Sequence, residues 1–384
     1  MVNSQQSTVN NQQSFISLQL QNQLYMIQPS DLVRLVADIK SGKCALVLGP
    51  EIFSVQGQPL QTYIKNQLLE RFGDQIAAYY DRDGFFLLRN PDDKPEMQDE
   101  VQFLYKAVQP AEALLQQIIE IPFSLVLSVN PDTFLRDLSY AAGLPNRFTW
   151  FDARKQEDFD MPPSGEADGQ ALRDRIPMYY NLCGCVEKPS TLILDYDDLF
   201  RLLEGMLGAP KLPEKLLARL KDTTSYLFLG FQFDRWHTQL LLRLLDVKNA
   251  ARRFAIQSPL PKEKDTEAFL LNQFRIRFLG DDADLLDQLH HHFADADLLR
   301  PTQSANTPAG QEITTFLQKG NLEKAVARLL DAAKTTGIAD EATQMSARYH
   351  QWSEQKNKGL TDSRDLNLLF NQVCDGVLQL AKQL

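Results

Sequence analysis

The chain has 384 residues, enough for two domains, and its 43% hydrophobic and 23% charged residues are ordinary for a soluble globular protein. Its net charge is −10, and nucleic-acid binding depends on clustered Lys and Arg, so DNA or RNA is a poor partner. No apolar run approaches the length of a membrane span, and the polar start MVNSQQSTVNNQQSF lacks the pattern of a signal peptide. We therefore expect a cytoplasmic protein that does not enter membranes.

The cysteines and histidines give no metal pattern. The four cysteines, Cys44, Cys183, Cys185 and Cys374, contain no Cys-x-x-Cys pair and no disulfide framework, so no zinc is expected. Residues 290–292 are three consecutive histidines in a predicted helix, where neighbouring side chains point in different directions. This arrangement cannot form one metal site.

Residues 1–29 predict a polar N-terminal tail, and residues 30–300 alternate between short apolar strands and amphipathic helices. That alternation is typical of βαβ units and a largely parallel sheet. The predicted strands are Cys44–Leu48, Phe123–Val129, Met178–Leu182, Thr191–Leu194, Ser225–Leu229, Ala251–Gln257 and Phe274–Leu279. Asp81–Pro95 is interpreted as a loop, Glu100–Ile119 as mostly helix, and Asp152–Arg175 as an exposed insertion.

A second unit follows the predicted linker Pro301–Gly310, which is rich in Pro, Ser, Thr, Asn and Gly and has nothing to bury. Residues 311–384 carry apolar residues at helix spacing, which predicts a small bundle with its own core. We expect this bundle to fold without the preceding unit. Tyr349 and Trp352 lie on one apolar stripe, where a core position is favoured over a docking surface.

The chemically informative residues follow the predicted strands. Gly49 and Glu51 come after the first strand, Asn130 and Asp132 after the second, Cys183 and Gly184 after the third, and Gly230 and Asp234 after the strand Ser225–Leu229. In open α/β sheets, nucleotides bind at the carboxyl ends of the strands. Any ligand is therefore expected among Gly49, Glu51, Asn130, Cys183, Gly230 and Asp234. His237 lies nearby, and a surface or capping role is favoured for it.

This order of turns resembles the sirtuin-like family, which binds nicotinamide adenine dinucleotide (NAD), over about residues 30–295, and it looks most like the diverged bacterial members. The resemblance implies an α/β, Rossmann-like and largely parallel sheet with helices on both faces. It implies catalytic roles for Asn130 and Cys183. It also implies that NAD or a related nucleotide is bound by Gly49, Glu51, Asn130, Asp132, Gly230 and Asp234.

Two positions depart from the family pattern. The family's Gly-Ala-Gly turn, which receives the pyrophosphate, is Gly49-Pro50-Glu51 here, so one N–H donor is lost and a negative charge is added. The family's catalytic His, which sits in a Leu-His-Gly segment, is replaced by Cys183. A thiol is mostly protonated at neutral pH and does not replace imidazole as a general base. Both departures argue against ordinary sirtuin chemistry.

Residues 311–384 resemble an effector-associated domain of prokaryotic conflict systems, through FLQKGNLEKAVARLLDAAK (316–334) and ATQMSARYHQWSEQKNKGLTD (342–362). The resemblance implies an adaptor that binds another protein with a like domain, or a further copy of the chain. Three roles for the sirtuin-like part remain open: a weakly active or inactive nucleotide pocket, an NAD hydrolase that depletes NAD on activation, and a structural scaffold.

Overall fold

The computed structural model describes residues 28–384 except for 109, 111, 156–158, 209–211, 257–263, 280–284, 303–307, 335–337, 359–362 and 383. The predicted N-terminal tail lies outside the described residues except for its last two positions. Most of the predicted linker does so as well, although a helix already begins at Pro308, before the predicted end of the linker at Gly310.

The central feature is a parallel sheet of seven strands in the order β11-β10-β9-β1-β6-β8-β7, flanked by two short hairpins, β2–β3 and β4–β5. The strands are β1 (Cys44–Leu48), β2 (Ser54–Val55), β3 (Gln58–Pro59), β4 (Ile76–Tyr80), β5 (Phe85–Leu88), β6 (Leu125–Ser128), β7 (Arg147–Trp150), β8 (Met178–Asn181), β9 (Ser225–Leu229), β10 (Arg252–Ile256) and β11 (Arg277–Leu279). The predicted fold class is confirmed.

Eleven of the helices in the described part of the chain precede Arg300. They are α1 (Pro29–Lys40), α2 (Leu60–Phe72), α3 (Lys94–Ala107), α4 (Glu112–Glu120), α5 (Phe134–Ala141), α6 (Gly169–Arg173), α7 (Tyr196–Leu207), α8 (Glu214–Asp222), α9 (Trp236–Leu244), α10 (Lys264–Phe269) and α11 (Leu285–Asp295). The C-terminal helices are α12 (Pro308–Gln318), α13 (Leu322–Ala333), α14 (Ala339–Lys358) and α15 (Ser363–Ala381).

Each face of the sheet is covered by its own apolar cluster. Side chains alternate along a strand, so Leu46 and Leu48 of β1 join a cluster that includes α1, α2 and α3. Ala45 and Val47 join the opposite cluster, which includes α7, α8 and α9. Every residue of β1 is buried, as a central parallel strand requires.

Several predicted elements differ from the structure. Thr191–Leu194 is not a strand, because Thr191 ends a 3-10 turn in which its hydroxyl donates to the Lys188 carbonyl at 2.7 Å. The loop predicted over 81–95 contains strand β5, and the helix predicted over 100–119 is two helices. The insertion predicted to be exposed buries Phe159 and Leu172. Strand β7 was not predicted, since its polar residues hide the signal of an edge strand.

The C-terminal helices form a bundle with its own apolar cluster, including Ile313, Leu329 and Val377. The bundle is also docked on the sheet-containing unit. Helix α12 packs along α5, and Tyr140 of α5 belongs to the bundle's apolar cluster. Arg147 of β7 forms an ion pair with Asp375 of α15. The bundle therefore contacts the preceding unit through α12 and α15 as well as through the linker.

Candidate functional site

The order in which strands are added to the sheet reverses at β1: strand β6 lies on one side of β1, and the later strands β9 and β10 lie on the other. Ligands of open α/β sheets bind at such a switch point. The turns after β1 and β9 meet there. The Gly49 N–H donates to the Leu229 carbonyl at 2.8 Å, and the Glu51 N–H donates to the Gly230 carbonyl at 3.0 Å. The two turns are thus hydrogen-bonded to each other.

Only glycine fits at the crossing of these turns. A Cβ on Gly49 would lie 2.1 Å from the Gly230 carbonyl oxygen. Gly230 has a φ of +61°, and a Cβ there would lie 2.4 Å from the Ile52 nitrogen. Both conflicts involve backbone atoms, which cannot rotate away as a side chain would. The predicted glycines Gly49 and Gly230 therefore allow the turns after β1 and β9 to pack directly against each other, which closes the space between them.

Beside the crossed turns lies a cavity of about 160 Å³, which we call the strand-end cavity. The polar residues that line it include Asn130, Cys183, Gln232, Arg235 and His237. Both residues predicted to be catalytic, Asn130 and Cys183, thus reach one cavity from different strand ends.

Asn130 is buried and held in a fixed orientation. Its side-chain amide donates to the Gly49 carbonyl at 2.8 Å, and its backbone N–H donates to the Ser128 hydroxyl at 3.0 Å. The amide therefore ties the second strand end to the first. One of its donors serves the fold and is not available to a ligand in this arrangement.

Cys183 cannot act as a base here. Burial raises the pKa of its thiol to about 12, so the thiol is protonated at physiological pH. The neighbouring Gly184 has a φ of +82°, and a Cβ on it would lie 2.2 Å from the Thr191 carbonyl oxygen. Glycine is thus sterically required at position 184, while the adjacent Cys183 side chain has no basic character.

His237, expected at the surface or as a cap, lines the strand-end cavity instead. Its Nδ1 is buried and has no hydrogen-bond partner among the described residues. Burial, with a further contribution from the nearby Arg235 charge, lowers the pKa of His237 to about 4, so the ring is neutral at physiological pH. The sequence signal that could have found it is its position in the first turn of α9, directly after the Gly230-to-Asp234 turn.

The remaining predicted residues surround the cavity without lining it. Glu51 accepts a hydrogen bond from the Gln232 amide at 2.7 Å, and Gly230 and Asp234 lie in the adjoining turn. Asp132 is separate from these residues. Its Oδ1 accepts from the Phe134 N–H at 3.0 Å at the start of α5, and its side chain lines a different cavity. The structure thus places Asp132 in a different cavity from Asn130.

The strand-end cavity is small compared with NAD. A cavity of about 150 Å³ holds one benzene molecule, and drug-sized ligands occupy about 300–1,000 Å³. The strand-end cavity thus has room for one ring. The N–H groups of Gly49, Glu51 and Ile52 all donate to carbonyls, and Pro50 has no N–H. A pyrophosphate would find no free donor in this turn and would meet the Glu51 carboxylate.

Comparison with known families agrees with this architecture. Residues 124–279 match the SIR2-like domain, and residues 309–384 match Effector-associated domain 11. A search of curated proteins finds no match. The chain therefore combines a sirtuin-like domain with a C-terminal effector-associated domain, in the order that the motifs predict. This combination indicates an effector of a defence or conflict system.

Two further searches cover only the described residues. None of their helices has the length and apolarity needed to cross a lipid bilayer. No group of three or more His, Cys, Asp or Glu side chains among them is placed to hold a metal ion.

Proposed function

We propose that the protein is a cytoplasmic component of a prokaryotic defence or conflict system whose sirtuin-like pocket hydrolyses NAD slowly or not at all. The observation that carries this proposal is the closed turn. Every N–H group of Gly49–Ile52 that could donate a hydrogen bond to a pyrophosphate already donates to a backbone carbonyl. The protonated thiol of Cys183 supports the same conclusion, since it stands where the family has its base.

Opening the turn has an energetic cost. Separating the β1 and β9 turns breaks at least the Gly49–Leu229 and Glu51–Gly230 hydrogen bonds. Each contributes about 1 kcal/mol net, and an unsatisfied buried group costs about 1–3 kcal/mol. NAD binding would have to offset these terms and the repulsion between its phosphates and Glu51. Weak binding is expected unless a partner opens the turn.

The test is nicotinamide release from NAD by the purified full-length chain at high concentration. We expect a rate no higher than that of the Asn130→Ala variant, which serves as the matched control. Robust release by the wild type that Asn130→Ala abolishes would overturn the proposal. It would also show that Asn130 works in the sirtuin manner.

A second candidate function is an NAD hydrolase that becomes active when the pocket opens. It is favoured by His237, a neutral imidazole with a buried, unpartnered Nδ1 in the cavity that Asn130 lines. A neutral imidazole can accept a proton from a ribose hydroxyl. Under any condition in which the wild type releases nicotinamide, His237→Gln should abolish release. His292→Gln, on an exposed helical position, is the matched control. Unchanged activity of His237→Gln would remove its role as a base.

We also propose that residues 309–384 recruit a second protein with a like domain, or a further copy of this chain. The proposal rests on the match to the effector-associated domain. Sedimentation velocity of the full chain, alone and mixed with a chain carrying its own effector-associated domain, tests it. If the full chain sediments as a monomer alone and in every mixture, the proposed adaptor role of residues 309–384 is wrong.

A further inference from the structure

A second and larger cavity, of about 510 Å³, lies where the effector-associated domain meets the sirtuin-like domain. We call it the junction cavity. The sirtuin-like side is formed by residues of α3, α4 and α5, and Gln318 and Lys319 close it from the end of α12. Its volume falls within the range of about 300–1,000 Å³ in which proteins bind small organic ligands. Both domains would contact a ligand placed there.

Asp132 is a buried acidic residue in the lining of the junction cavity. Its side chain is 6% exposed, and Oδ2 has no hydrogen-bond partner among the described residues. Only Oδ1 is engaged, by the Phe134 N–H. A buried carboxyl oxygen without a donor is costly, and such groups are usually satisfied. The arrangement favours a ligand that brings an N–H donor to Oδ2.

The other acidic groups of the junction cavity already have partners. Arg136 donates two hydrogen bonds to the Glu187 carboxylate, at 2.8 and 2.7 Å, and a third to Asp137 at 2.9 Å. Burial raises the pKa of Glu187, but the Arg136 charge outweighs it and holds that pKa below its usual value. These hydrogen bonds hold the three side chains in a fixed arrangement. This arrangement shapes the wall and leaves Asp132 as the acidic group of the lining whose Oδ2 has no hydrogen-bond partner among the described residues.

The rim of the junction cavity is basic. Lys106 and Lys319 are both exposed, and neither forms an ion pair within 4 Å with any residue that the structure describes. Lys106 belongs to the sirtuin-like domain and Lys319 follows the first helix of the effector-associated domain. Both ammonium groups line this one cavity, and ammonium groups bind anionic groups such as phosphates. The wall between rim and floor includes apolar side chains such as Leu115 and Val186.

We propose that the junction cavity binds a small organic anion that carries an amino-substituted ring, the chemical composition of a nucleoside monophosphate. The ring amino group donates to Asp132 Oδ2, the ring packs on the apolar wall, and the phosphate lies between Lys106 and Lys319. Such a ligand would bridge the two domains and stabilise their association by mass action. The inference does not depend on whether the strand-end cavity hydrolyses NAD.

The test is isothermal titration calorimetry of the full-length chain with adenosine monophosphate, and separately with adenosine and with inorganic phosphate. We expect the monophosphate to bind at least tenfold more tightly than either part. Asp132→Asn and Lys319→Ala should each weaken it at least tenfold. Lys324→Ala, an exposed lysine on α13 away from the cavity, is the matched control and should bind as the wild type does.

Two results would overturn the proposal. One is the absence of adenosine monophosphate binding at millimolar concentration. The other is binding that neither Asp132→Asn nor Lys319→Ala changes. Asn130→Ala separates the two cavities, because binding that this substitution alone removes would belong to the strand-end cavity. Because Lys319 is exposed, the Lys319→Ala variant should fold. It therefore still tests the proposal if Asp132→Asn does not fold.

Discussion

The strand-end cavity and the junction cavity lie on the two sides of one short turn, yet they differ in every physical respect. Asn130 lines the smaller cavity and Asp132, two residues later, lines the larger one. The smaller is sealed by backbone hydrogen bonds between glycine turns, and the larger is walled by a fixed ion-pair network with a basic rim. The carboxyl edge of the sheet, where ligands of such folds usually bind, is thus closed. The larger cavity lies instead at the boundary between the two domains.

Tyr105 separates the two cavities, since its side chain lines both. It is buried and packs against Phe134, at a ring-centroid distance of 6.2 Å. Phe134 in turn contacts Phe53 edge-on at 5.2 Å, in the segment that follows the β1 turn. A change at the junction therefore has a continuous packed route to the glycine turns. Whether that route couples the cavities can be tested by perturbing each side separately.

The largest effect is expected at the strand-end cavity from Gly230→Ala. The new Cβ would clash with the Ile52 nitrogen at a positive φ, so backbone strain and overpacking add. Together they cost about 4 kcal/mol of unfolding free energy. Urea denaturation followed by circular dichroism measures this loss.

The control for that variant is Gly57→Ala. Gly57 also has a positive φ, +77°, but a Cβ there would meet nothing within 4 Å. Its cost should be limited to backbone strain, about 1 kcal/mol. Equal losses in the two variants would show that the crossed turns are not tightly packed, and the strand-end cavity could then no longer be considered closed.

A smaller effect, dependent on pH, is expected at the junction cavity. Burial raises the pKa of Asp132 from 3.8 to about 7. The folded chain therefore keeps a proton that the unfolded chain loses near pH 4. This contribution to stability is fully present below that pH and is lost as pH rises through 7. The shift corresponds to at most about 4 kcal/mol.

Asp132→Asn removes the titration and keeps an acceptor for the Phe134 N–H. The unfolding free energy of the wild type should therefore fall relative to that of the variant from pH 4.5 to about pH 7, and the difference should level off above that pH. Urea denaturation at several pH values measures it. A difference that stays constant with pH would mean that Asp132 is solvated, and the case for an unsatisfied oxygen in the junction cavity would fail.

The comparison also shows what the sequence can and cannot predict. Apolar runs that end in Gly, Asn or Asp correctly located β1, β6 and β9. A strand that is buried on both faces of a parallel sheet needs such a continuous apolar run, so the signal is strong. The sequence could not predict which cavity Asn130 and Asp132 each line. That depends on how the chain turns at Pro131 and on the hydrogen-bond partners on either side of the turn. His237 was misjudged for the same reason. Its surroundings include Phe85, which is distant in sequence and lies at a ring-centroid distance of 5.2 Å.

The docking of the bundle was the least predictable feature, because it depends on contacts between residues far apart in sequence, such as Arg147 and Asp375, which are 228 residues apart. Arg147 and Asp375 form a partly buried ion pair, with side chains 13% and 18% exposed. The sequence between 301 and 310 suggests a flexible connection, and nothing local to either residue indicates its partner. Composition can thus identify a linker without showing whether the units that it joins are in contact.

The smallest expected effect tests whether the junction cavity needs this docking. Asp375→Asn leaves the Arg147 charge without its counter-ion, and we expect a loss of about 1–2 kcal/mol. Asp331→Asn is the matched control, since Asp331 pairs with Lys334 on the surface with 64% of its side chain exposed, where a smaller loss than at Asp375 is expected. Hydrogen exchange should become faster in α12 and α15 of the Asp375 variant, while β1 and β9 stay protected. Faster exchange in β1 and β9 as well would mean that the two cavities respond as one unit, joined through Tyr105 and Phe134, and that a ligand at the junction would also act on the closed turns.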